Sequence, residues 1–275
     1  MWRSPTLAAG GTILVVVIAM GLAAPWIAPY PATEQHMLDR LKPPGGRFVL
    51  GTDQYGRDLL SRTLAGARPA LALGLGAVAL GLTLGVPIGL AAGYVGGRFD
   101  DLVMRVVDAM LAFPALLLAL LIITALGAST VHALLAIGIA NAPGIARIVR
   151  SASLALREAE FVLAARVRGE RHFYVMFGEI FPNVLGPVIL PNVLGPVIVE
   201  ATLRVGFAIM AGASLSFLGL GVQPPTADWG LMIREARQYV FLSPWPLLVP
   251  GTALAVTIVA FNLFGDGLRD RVGAA

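Results

Sequence analysis

Side chains able to do chemistry are few in this 275-residue chain, and they lie far apart. The three histidines, His36, His132 and His172, have no partners at ligand spacing, and there is no cysteine. A thiolate metal site, a disulfide framework and a histidine-built metal centre are therefore not expected. No cluster of His, Asp and Ser suggests an enzyme, so no catalytic residue is assigned. Lys42 is the only lysine, and it is followed by Pro43 and Pro44 rather than set in a glycine-rich loop. A P-loop needs its lysine beside the glycines to hold the β- and γ-phosphates. Any energy from ATP must then come from a partner.

Three groups of polar residues remain. Asp53, Arg57, Asp58 and Arg62 place two acids and two bases within ten residues, with Gly56 among them. They suit a local salt-bridged turn, and equally a brace for a gate or a contact for another protein. Gln223, Pro224 and Pro225, followed by Trp229, form a stiff segment, because consecutive prolines restrict the exit angle of the chain. It reads as a rigid lip or as a plain re-entry turn. Glu200 and Arg204 have the i, i+4 order that favours a helical ion pair. They are candidates for a substrate path, set against a snorkelling pair near the inner interface. His132 is read as a loop residue.

The elements that position these groups follow from composition. Hydrophobic residues make up 57% of the chain and charged residues 13%, too few to cover a water-facing surface. The net charge is +4, but the basic residues sit in short loops between apolar runs, so nucleic acid is not expected as a partner and membrane lipid is. Charge-free runs long enough to cross a bilayer extend over 4–33, 69–97, 109–146, 205–227 and 238–265. The third is too long for one helix and is split at Gly127–Thr130, which makes six spans. The apolar part of the first run, Leu7–Ile27, exceeds a signal-peptide core, so an uncleaved span is expected there. Basic residues favour the segments that would be cytoplasmic if both termini were inside.

Residues 1–30 are thus expected to hold the N-terminal tip and first span. Residues 31–68 form an outer loop, 69–268 a five-span core with a charged inner loop over 151–182, and 269–275 a cytoplasmic tail.

The inner loop carries a resemblance. Glu160, Ala164, Ala165 and Gly169, with Pro182 thirteen positions beyond the glycine, are similar to the "EAA" loop of ABC-importer permeases. Leu163 stands where that family often has Glu. The segment from Leu50 to Asp58, with Ser61 and Arg62, resembles the signature of the dipeptide, oligopeptide and nickel permeases. So do the segment from Ser214 to Pro225 with Trp229 and Gly230, and the terminal Gly265–Asp270.

The resemblance implies an all-α membrane protein, a six-helix permease bundle of the type I ABC importers. It would carry no cofactor of its own, ATP and Mg being bound by partner ATPases. It would work with a second, homologous permease, two cytoplasmic ATPases and an extracytoplasmic substrate-binding protein, in a bacterial or archaeal cytoplasmic membrane. The loop around Ala164, Ala165 and Gly169 would seat in a cleft of an ATPase. Peptides are the implied substrate; nickel or another small solute within the same family is the alternative, and an ion-coupled transporter is a further one.

One local feature stands apart. Residues 181–189 and 190–198 are identical at eight of nine positions. Either the chain carries a duplication or the sequence contains an assembly error. The prolines in both copies oppose a regular helix, and the fifth span is expected to begin near Pro196, where a helix start tolerates proline.

Overall fold

The computed structural model describes residues 5–182 and 196–273. Most of the repeated segment, including its prolines at 187 and 191, lies outside the described residues. The chain is all helical there: α1 (Pro5–Ile27), α2 (Leu59–Val95), α3 (Gly97–Leu111), α4 (Ala115–Leu126), α5 (Thr130–Leu156), α6 (Glu160–Val167), α7 (His172–Tyr174, continued by a π-helical turn over Val175–Ile180), α8 (Pro196–Phe217), α9 (Trp229–Ala236) and α10 (Trp245–Gly273). Five of these, α1, α2, α5, α8 and α10, are long and apolar enough to cross a bilayer.

The third span, expected from residue 109 to the turn at Gly127, is not a single helix. It is a pair, α3 and α4, bent by 90°. Pro114 lies at the break, and a proline restricts the residue before it and donates no backbone hydrogen bond. Charged α3 lies against α5, held by a two-pronged bond from Arg150 to Asp100, with both contacts at 2.5 Å, and by an Arg147–Asp108 ion pair. Counting the pair as one span restores six.

The second helix starts earlier than its apolar run, at Leu59. Asp58 caps it, accepting from the Ser61 backbone N–H at 2.8 Å and from the Ser61 hydroxyl at 2.6 Å. About six turns further on, α2 meets α5 along a ladder of Gly81, Gly85, Gly89 and Gly93. A Cβ on Gly85 would sit 2.6 Å from the Ala142 carbonyl, and one on Gly89 2.3 Å from that of Ala146. Between helices in lipid there is little hydrophobic drive, so such close backbone approach supplies the packing energy.

The main core is formed by α1, α2, α4, α5, α8, α9 and α10, with Leu14, Leu71, Ile123, Ile137, Ile209 and Phe261 among its buried residues. A second core lies at the other end, where Leu90 and Tyr94 of α2, Val149 of α5, Val162 and Ala165 of α6 and Val175 and Ile180 of the π-helical turn share one buried cluster. The described part of the fifth spanning helix runs Pro196–Phe217, and the residues just before it, on which its expected start near Pro196 depends, lie outside the described residues.

Candidate functional site

At the end of the bundle that the loop 28–58 covers, two sequence motifs meet. Asp53 anchors the loop turn. Its Oδ1 accepts from the Tyr55 and Arg57 backbone N–H groups at 2.8 and 2.9 Å, and its Oδ2 accepts from Arg57 Nε at 2.5 Å. Gly56 closes the turn at φ +73, where a Cβ would lie 1.9 Å from the His36 carbonyl oxygen. Only glycine takes this position without strain.

Arg57 then reaches Glu235 of α9, Nη2 to Oε2 at 2.6 Å, and Gln54 donates to the same oxygen at 3.2 Å. Arg62, 1% exposed, lies between the two acids, with Nε 3.5 Å from Asp53 and Nη2 3.8 Å from Glu235. The turn is therefore salt-bridged locally, and it also grips α9.

Trp229 completes the clasp. Its indole N–H donates to the Thr63 carbonyl at 3.0 Å, and Gly66 leaves room for the ring. Asp228 caps α9 through the Leu231 N–H at 2.9 Å. Burial pushes the Asp228 carboxyl above its ordinary pKa, opposed by bonds from Leu231, Ser216 and Gly230. Gln223 turns back on its own loop, donating to the Gly219 and Gly221 carbonyls, and the Pro224–Pro225 peptide is cis. Sequence reasoning missed Glu235. It is a lone acid beside Arg234, and no spacing rule links it to Arg57.

At the opposite end, α6 presents two faces. Val162 and Ala165 are fully buried in the second core, whereas Ala164, Leu163 and Val167 are exposed, Val167 to 88%. Glu160 is exposed in the first turn, where a negative charge suits the helix dipole. Gly169, at φ +77, ends the helix. Its N–H bonds to the Arg166 carbonyl at 3.0 Å and that of Glu170 to the Ala165 carbonyl at 3.2 Å, the double bond of a Schellman stop. Beyond it Phe173 and Tyr174 are exposed, as is Pro182 at the end of this described segment. Tyr94 fastens the underside: its hydroxyl meets His172 Nδ1 at 2.9 Å, and the Arg166 guanidinium lies 5.0 Å from its ring centroid.

Between the two ends, Glu200 and Arg204 of α8 pair at 2.8 Å. Arg204 Nη1 also donates to Asn141 Oδ1 of α5 at 3.2 Å. His132 stays in the turn before α5, with Nδ1 2.9 Å from the Gly127 carbonyl. Among the described residues, no group of three acidic or histidine side chains could hold a metal.

The comparisons with known proteins give the family. The model of the binding-protein-dependent transport system inner membrane component family matches residues 85–189 and 187–274. The join falls inside the repeat. The model described as the N-terminal TM domain of oligopeptide transport permease C matches residues 2–44. The dipeptide transport system permease protein DppC of Alkalihalophilus pseudofirmus is 42% identical, over 96% of this chain and 84% of that one. The nickel transport system permease protein NikC of Escherichia coli is 39% identical, over 94% and 91%. A chain of the inward-facing MetNI methionine ABC transporter superposes with a TM-score of 0.58 at 18% identity, covering 76% of this chain and 95% of that one, which supports the fold. The chain belongs to the inner-membrane components of binding-protein-dependent transport systems, as an ABC-importer permease of the dipeptide, oligopeptide and nickel family: a multi-pass transport subunit and not an enzyme, without a cofactor of its own, that operates with ATPase subunits and a binding protein.

Proposed function

We propose that this permease imports di- or oligopeptides. The observation that carries the reading is the 42% identity to a dipeptide permease across 96% of the chain. It forms half of the translocation path beside a second, homologous permease, and two ATPases drive it from the cytoplasm. Both termini are cytoplasmic, the segment 31–58 faces outward, and the membrane is the cytoplasmic one.

The loop 151–182 is the ATPase-docking segment. Support comes from the uncovered apolar face of α6, whose Ala164, Leu163 and Val167 would otherwise face water at a cost. Ala165 and Gly169 fasten and terminate that helix, with Glu160 at its start and Pro182 at the far end of the segment. The Asp53–Arg57–Glu235 network, with Gly56, Asp58 and Trp229, braces the outer lip of Gln223, Pro224 and Pro225 that receives the binding protein. Glu200 and Arg204 lie on the path.

Uptake competition tests the substrate class. In cells carrying the complete system, excess dipeptide is expected to suppress uptake of a labelled dipeptide, and a nickel chelate is expected to leave it unchanged. Suppression by the chelate alone would transfer the chain to metal import.

A further inference from the structure

We infer that Arg204 is a carboxylate-binding station on the path, and that Glu200 is its resting occupant. The inference rests on the peptide-import reading and adds which part of the substrate is recognised.

An arginine within a spanning helix is costly unless it has work or full compensation. Arg204 has incomplete compensation. Its guanidinium carries five N–H donors, yet Nη2 meets Glu200, Nη1 meets Asn141, and buried Nε has no hydrogen-bond partner. Asn141 lies roughly 16 Å along α5 from Thr130, so the guanidinium is held deep in the bundle rather than at a helix end. Gly144 seats it: a Cβ there would lie 2.3 Å from Nη2. The plane of the guanidinium is thus fixed by α5, whereas its counter-ion is not.

Glu200 is one helical turn away on the same element, and its side chain keeps 32% of its surface exposed. An i, i+4 pair of this kind is weak and easily exchanged. Glu200 and Arg204 begin a stripe on α8 that continues through Phe207 and Ser214, and Phe207 is 59% exposed. Of these residues Phe207 stands open, whereas Glu200, Arg204 and Ser214 are half-buried. A carboxylate moving along it could replace Glu200 and accept two parallel bonds from the guanidinium. Every unmodified peptide has a C-terminal carboxylate whatever its side chains, so this station reads what peptides share.

The test uses the whole complex in proteoliposomes, with the binding protein saturated by either dialanine or its C-terminal amide. Wild type is expected to carry dialanine faster than the amide, by roughly tenfold for a charge-assisted pair. Arg204→Gln is expected to remove that preference, and Glu200→Gln to keep it with an equal or higher dialanine rate. A structural brace would instead make both variants slow both probes alike, and that result overturns the proposal. If Arg204→Gln does not assemble, Arg204→Lys serves: a reduced preference supports the station and an unchanged one overturns it. Wild type that imports peptides without any preference for the carboxylate sinks this inference alone. Wild type that imports no peptide sinks the peptide reading with it.

Discussion

Arg57 and Glu235 are joined at 2.6 Å, although 178 residues separate them in the chain. The bond ties the turn before α2 to the short helix between α8 and α10. Arg62, buried beneath, depends on the same two acids.

Glu235→Gln leaves Arg57 and Arg62 facing only Asp53 in a buried site. Removing one partner of a buried pair is strongly destabilising, so a loss of about 3 kcal/mol is expected. Thermal unfolding of the purified permease measures it. Combined with Arg57→Ala the losses should fall short of additive, because the two side chains share one interaction.

How much of this was legible in the sequence follows from range. The helices were, because an apolar run needs no partner to be recognised. The start of α2 at Leu59 was less so: its apolar run begins only at Pro69, and the capping bond from Asp58 set the boundary. The α3–α4 bend was missed, because composition is blind to direction and only Pro114 hinted at a break. Asp53 with Arg57 is an i, i+4 pair and visible, whereas Arg57 with Glu235 exists only once α9 folds back.

Gly169 adopts φ +77, where an L-residue costs about 1–2 kcal/mol. A Cβ there meets nothing within 4 Å, so the cost is conformational. Gly169→Asp adds a charge where the ATPase would dock. The variant is expected to insert and assemble but to lose uptake by on the order of tenfold or more while ATP hydrolysis continues. Parallel assays of peptide uptake and phosphate release check this, and normal uptake would remove the loop from the coupling role.

Asp228 gives a pH dependence of definite sign. Its folded-state pKa is raised by burial, so its favourable contribution exists below the ordinary carboxylate range and is lost as pH rises through the raised value. At neutral pH the buried charge is a cost. Asp228→Asn keeps an oxygen for the Leu231 N–H and removes that cost. Its stability should equal or exceed wild type at neutral pH, with the gain shrinking in acid. Asp228→Ala loses the cap, at about 1 kcal/mol. Melting curves across pH separate the two.

The glycine ladder predicts a contrast between two alanines. At Gly89 a Cβ would lie 2.3 Å from a backbone oxygen of α5, so Gly89→Ala must push the helices apart. The expected cost is about 1–3 kcal/mol. At Gly251 nothing lies within 4 Å, and Gly251→Ala should be neutral or slightly stabilising. Melting temperatures of both variants in one detergent decide it.

This chain is expected to pass solute only when ATPase partners drive it and a binding protein delivers the load. Accumulation of a labelled dipeptide in proteoliposomes containing the complete complex measures that directly. Accumulation is predicted only when ATP is available to the ATPases and loaded binding protein is present on the opposite side. Accumulation driven by an ion gradient, with neither ATP nor binding protein added, would contradict it.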